Sequence, residues 1–202
     1  MGQAGMAEAA VRYLRSAAAA PLTRPVEALP RPELRCVGEN ERAPVDPTEF
    51  RRVLGAFATG VTVVTAPATE PDGSPAGFAC QSFSSLSLDP PLIAFMVGRT
   101  STTWPRIARA GVFCVNVLSA GQGELCRAFA VRGADKFAGV EHTPAPASGS
   151  PRLTGTLAWI DCTIHAVHTG GDHLIVVGRV DALGTGDDED AAPLLFHKGH
   201  FL

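Results

Sequence analysis

At 202 residues, 46% of them hydrophobic and 18% charged, the chain is a globular protein of one domain or two small ones. Its formal net charge of −3 divides into +1 before Asp46 (six Arg against five acids) and −4 from there on (eleven bases against fifteen acids), so neither part carries the basic excess of a nucleic-acid-binding surface. No apolar run approaches the length that spans a bilayer, and the alanine-rich start, interrupted by Arg12 and Arg15, argues against a signal peptide.

Residues 1–45 are rich in alanine, proline and arginine, with Tyr13 as their only aromatic, and Pro21, Pro25, Pro30 and Pro32 break any helix begun near Val11. A flexible tail is expected there. Every Phe and both Trp lie from Phe50 onward, so the packed domain is expected at 46–202, long enough to bury a sizeable core without disulfides or metals. The five cysteines form no CxxC pair, and Cys80, Cys114 and Cys162 sit in apolar runs, which points to buried thiols and a reducing cytoplasm.

Asp46-Pro47-Thr48-Glu49 reads as a helix start, with an Asp N-cap, Pro at the first helical position and Glu at the capping-box position. The helix is predicted to run to about Ala58, its Phe50, Val53, Leu54 and Phe57 forming one apolar stripe toward a core, and Thr59-Gly60 to end it. The β-branched run Val61 to Thr65 then predicts a strand, followed by a hairpin turn at Pro71 to Pro75. Further strands are predicted at Gly77–Phe83, Leu92–Val97, Val112–Val117, Gly155–His168 and His173–Leu183, the last two joined by a Gly170-Gly171 turn, with helices at Thr103–Ala110 and Gly121–Phe129. Six strands, tight turns and no alternating strand–helix rhythm favour a mainly β fold, a closed antiparallel barrel rather than a parallel sheet.

Most familiar catalytic motifs are missing. Gly121-Gln122-Gly123 begins like a dinucleotide fingerprint, but Cys126 stands where the third glycine belongs. There is no phosphate-binding P-loop and no nucleophile elbow. The pairs His165/His168 and His197/His200 have a spacing of three, which on a strand turns the two rings to opposite faces, so no metal site is expected. Asp187-Asp188-Glu189-Asp190 lacks the alternating ligands of a calcium loop and reads as a solvated acidic turn. A protein whose cofactor carries the chemistry needs few reactive side chains.

The run Gly77-Phe78-Ala79-Cys80-Gln81-Ser82-Phe83-Ser84-Ser85-Leu86-Ser87-Leu88-Asp89-Pro90-Pro91 resembles the signature of the short-chain flavin reductases, the flavin reductase-like family with an FMN-binding split barrel. Phe57 to Thr65 before it, Arg99 to Thr103 after it, Gly171-Asp172-His173 and Pro193 to His197 match in the same order, so the resemblance covers about Thr48 to Phe201.

The resemblance implies a six-stranded antiparallel split β-barrel and hydride transfer from NAD(P)H to FMN or FAD, with NADH preferred because basic groups are scarce after Lys136. It implies flavin contacts at Thr59, Gly60, Val61, Thr62, Gln81, Ser82 and Phe83, with hydroxyls of Ser82, Ser84, Ser85, Ser101 and Thr102 toward the flavin phosphate, and a role for His173 in positioning the nicotinamide. Ala79 and Gln81 depart from the family, where threonine and a smaller polar residue are common. Relatives are homodimers that hand reduced flavin to a partner monooxygenase, so both partners are expected. A non-catalytic flavin- or haem-binding split barrel is the alternative. A pyridoxine-phosphate oxidase-like enzyme would need more basic residues than Lys136 and Lys198 supply.

Overall fold

The computed structural model describes residues 44–69, 73–131, 133, 135–188 and 190–202. The expected tail up to residue 43 and the first two residues of the Pro71 to Pro75 turn lie outside the described residues. All the described elements fall in the compact unit Val45–Leu202, or at its edge.

The described residues open with helix α1 (Pro47–Leu54), then short strand β1 (Thr59–Gly60) and strands β2 (Thr62–Ala66), β3 (Ala76–Cys80), β4 (Ser84–Leu88) and β5 (Pro91–Gly98). Helix α2 (Trp104–Ala110) leads to β6 (Val112–Val117), a 3-10 turn at Ala120–Gln122 and helix α3 (Gly123–Ala130). Strands β7 (His142–Pro144), β8 (Pro151–Leu153), β9 (Ala158–Gly170), β10 (His173–Thr185), β11 (Leu195–His197) and β12 (His200–Phe201) complete them.

Seven strands form one antiparallel sheet in the order β3-β2-β6-β9-β10-β5-β4. It curls until the end of β3 meets β5, where the Ser82 hydroxyl accepts from the Met96 amide (2.9 Å) and donates to the Met96 carbonyl (3.0 Å). One side chain thus stands in for a ladder between the two strands and closes a split barrel of β2, β3, β5, β6, β9 and β10. These are the six strands expected from the sequence.

Alternation along β5 sends Ile93, Phe95 and Val97 into the barrel, where Phe95 meets Phe113 edge-on at 5.2 Å and Trp104 at 6.3 Å. Trp104 and Ile107 of α2 plug one opening. β2 is buried on both faces because Val63, with Val61 just before the strand, belongs to a second apolar cluster that includes Phe129 and Cys126 of α3. Gly178 of β10 gives Phe113 its room: a Cβ there would lie 2.4 Å from the Phe113 ring. The four cysteines within the described residues are free and buried.

Several expectations are corrected. Asp46 caps α1 by accepting from Thr48 and Glu49 amides (2.9 and 3.0 Å), but Glu49 turns outward to Arg52 rather than back to the cap. α1 stops at Leu54, and Thr59-Gly60 pairs with β11 instead of only ending a helix. Its apolar stripe does not face the core: Phe50 and Phe57 are 55% and 76% exposed, since nothing in the described chain covers that face. The expected Gly77–Phe83 strand breaks after Cys80, and the chain restarts as β4 on the far edge of β5. His197 and His200 face each other across the β11–β12 turn rather than sharing a strand.

Candidate functional site

Where β3 ends and the β5–α2 connection begins, the backbone opens a cleft of about 770 Å³. Gln81 and Ser82 come from the β3–β4 turn, Met96 to Gly98 from β5, Thr100 to Thr103 from the following loop and His173 from the start of β10, while Phe78 and Phe129 supply apolar walls. The register explains the meeting: His173 pairs with Gly98, and Leu174 with Val97, so the β9–β10 turn is carried to the rim.

That turn is a two-residue hairpin in which Gly171 takes φ 69°, a left-handed conformation suited to glycine. The Arg99 amide donates to the Asp172 carbonyl (3.0 Å) and ties the turn to the rim loop. The His173 Nδ1 lies 2.8 Å from an Asp172 carboxylate oxygen, and this contact holds the Asp172 carboxyl below its ordinary range. With Nδ1–H donating to the carboxylate, a neutral imidazole presents Nε2 as an acceptor, on the side facing Gly98.

The rim loop is organised by its own hydroxyls. Ser101 accepts from the Trp104 amide (3.1 Å) and its amide donates to Gly98 (2.9 Å), which shapes the entry to α2. Among the described residues the amides of Thr102 and Thr103 find no protein acceptor, so both N–H groups and two threonine hydroxyls are free for an anionic ligand. Lys136 borders the same space, with Nζ donating to the Gly77 and Phe129 carbonyls at 3.1 and 2.9 Å.

A larger hollow of about 1190 Å³ lies beside the cleft, between α1 and the β11–β12 turn, and shares Phe50, Leu54 and Gln81 with it. The smaller cleft is the better candidate site because the polar groups converge there. Its volume, apolar walls and few placed donors fit a flavin ring with its side-chain phosphate.

The expected site residues divide between places. Gln81, Ser82, Ser101, Thr102 and His173 line the cleft, and Thr59 lines the adjoining hollow. Gly60 pairs with Leu195, with open space where a side chain would be. Val61 is 1% exposed, its amide donating to Leu194 and its carbonyl accepting from Leu118, so it has no group left for a ligand. Thr62 is buried and donates its hydroxyl to Cys80 (2.9 Å). Phe83 packs on the barrel core, and Ser84 and Ser85 lie on β4, outside the cleft. Lys136, Met96, Gly98 and Phe129 were missed. Lys136 had a signal, being one of only two lysines.

The chain matches the family model described as flavin reductase like domain over residues 54–202. It is 52% identical over 157 residues to the flavin-dependent monooxygenase, reductase subunit HsaB, of Rhodococcus jostii, covering 78% of this chain and 77% of that one. It is 48% identical over 167 residues to a flavin reductase of Pseudomonas putida, covering 83% and 95%. Among solved structures, the NADH:FAD oxidoreductase SgcE6 of Streptomyces globisporus, in complex with NAD and FAD fragments, is 37% identical with a TM-score of 0.72, covering 80% of this chain and 96% of that one. The chain belongs to the flavin reductase-like family.

Proposed function

We propose that this protein is an NAD(P)H-dependent flavin reductase that works in the cleft at the end of β3 and releases reduced flavin to a separate monooxygenase component. The observation that carries the reading is the convergence of His173, Gln81, Ser82 and the Thr100 to Thr103 loop on one cleft of flavin size, in a chain of this family. Flavin, when bound, supplies the redox chemistry, accepting a hydride from the nicotinamide.

The chain's own groups bind and orient. Phe78 and Phe129 give the ring an apolar wall, while the Thr102 and Thr103 amides and hydroxyls take the anionic end. His173, held by Asp172, offers Nε2 to the carboxamide N–H of the nicotinamide and so sets the face and angle of approach. No side chain becomes covalent or has to move a proton.

NADH is the preferred donor, and both FMN and FAD are candidate flavins. The relatives include a reductase subunit of a flavin-dependent monooxygenase, which supports transfer to a partner enzyme. Free, buried thiols fit a reducing cytoplasm, and among the described residues no helix is long and apolar enough to cross a membrane. A second copy of the chain is the proposed cover for the apolar face of α1, which makes the protein a homodimer. The deciding assay follows NADH absorbance with purified protein and FMN or FAD in turn. Turnover with at least one is expected, and no oxidation with either rejects the function.

A further inference from the structure

Among the described residues that line the cleft, Lys136 is the only lysine, arginine, aspartate or glutamate. It comes from the loop after α3, and both of its neighbours are held. The Asp135 carboxylate accepts from the Phe137 amide (3.2 Å), and the Phe137 ring meets Phe129 of α3 edge-on at 5.1 Å. Gly77 lets this cluster close on β3, since a Cβ there would lie 2.6 Å from the Phe129 ring and 3.3 Å from the Phe137 ring.

The Lys136 ammonium donates to the Gly77 and Phe129 carbonyls at 3.1 and 2.9 Å, and its third proton has no acceptor among the described residues. No carboxylate pairs with it there, so the two tethers fix the charge at the cleft wall without neutralising it. Burial and then the nearby Arg106 pull the ammonium below the ordinary lysine value. A partly desolvated cation with a like charge nearby gains from any negative charge that arrives beside it. In a cleft with apolar walls that attraction is screened less than in water.

Hydride transfer delivers such a charge. The nicotinamide gives up one proton and two electrons together and its ring becomes positive, while the flavin takes up all three and becomes negative. We propose that Lys136 is a catalytic residue of this reduction, its fixed ammonium favouring the reduced, anionic flavin in the cleft over the oxidised one. Lys136 itself gives up and receives nothing. This role rests on the flavin reductase reading, and it differs from that of the Thr102 and Thr103 amides. A side-chain phosphate carries the same charge before and after reduction, so its donors hold both forms alike. Only a group that meets the new charge on the ring system separates the two forms, and such a difference is what lowers a barrier.

The test measures, without oxygen, how tightly the full-length protein binds oxidised and reduced riboflavin and FMN, by fluorescence for the oxidised forms and ultrafiltration for the reduced ones. Riboflavin has no phosphate and so isolates the ring system. Wild type should bind reduced riboflavin more tightly than oxidised riboflavin. Lys136→Gln, which keeps two N–H donors for the Gly77 and Phe129 carbonyls, should lower that preference about tenfold, and Lys136→Arg, which keeps the charge, should retain most of it. Equal or weaker wild-type binding of the reduced form overturns the proposal, whether or not the variants fold. So does a loss in Lys136→Gln that is the same for both oxidation states, the mark of a residue that only ties Phe129 to β3. A change seen with FMN and not with riboflavin, the mark of a phosphate ligand, overturns it as well. NADH oxidation by wild type tests the reading beneath: no turnover with any flavin rejects the reductase, whereas turnover with an unaltered preference in Lys136→Gln rejects only the role of Lys136.

Discussion

Gly178 and His173 share β10, one placed for what it lacks and the other for what it carries. Phe113 is fully buried, and a Cβ at Gly178 would sit 2.4 Å from its ring and 3.2 Å from Ile93. Gly178→Ala should therefore cost about 1–3 kcal/mol of stability, measured by urea unfolding, with little change in the chemistry of any protein that remains folded. His173 is half exposed and contributes nothing to the core. His173→Ala should lower kcat/KM for NADH roughly tenfold, the worth of one orienting hydrogen bond, while flavin affinity stays the same. Stopped-flow reduction at fixed flavin and varied NADH separates the two, and unchanged NADH kinetics would remove His173 from the mechanism.

At the scale of elements, α1 shows how periodicity states less than it suggests. Phe50, Val53 and Leu54 have the spacing of one helix face, Phe57 lies past the end of α1, and all four are exposed, so α1 has no buried residue. An amphipathic stripe says that a face needs cover, not which surface provides it. If a second copy covers it, Phe50→Ser with Phe57→Ser should shift the protein from dimer to monomer in light scattering after gel filtration. A wild-type monomer would refute the dimer outright. The β3–β4 region teaches the complementary point: Gln81, Ser82 and Phe83 were expected to continue a strand, but Ser82 is consumed in closing the barrel onto Met96. Single-sequence reading sees a run of residues with strand propensity and does not see the partner that makes the run break.

For the molecule as a whole, the buried thiols make stability depend on alkaline pH. Burial, and then the Asp161 carboxylate, pushes the Cys114 thiol up to about 12, and Cys162 is raised for the same first reason. Below about pH 9 a thiol is protonated in both the folded and unfolded chain, and pH has no effect through it. Above that, the unfolded chain releases the proton and the folded one does not, so unfolding free energy falls as pH rises from about 9 toward 12. Urea melts between pH 8 and about pH 10.5 should show this decline, and Cys114→Ala should make it shallower. An identical slope in the variant would assign the decline to other groups.

The sequence by itself determined the six barrel strands, the α2 and α3 helices, the Asp46 cap and the family, and it placed the β9–β10 turn one residue early, at Gly170-Gly171 rather than Gly171-Asp172. Each depends on local periodicity, on a residue's backbone preferences, or on a long ordered set of matching segments. Only the tertiary structure decided which of the expected site residues share a space. Val61 and Ser84 lie close in sequence to Gly60 and Ser82, yet one is sealed against Leu194 and the other is carried to the outer edge of β5. Lys136 reaches the cleft from a loop far from the signature. The physical reason is that alternation along a strand sends neighbours to opposite faces, and barrel closure then brings together residues that no spacing in the chain connects.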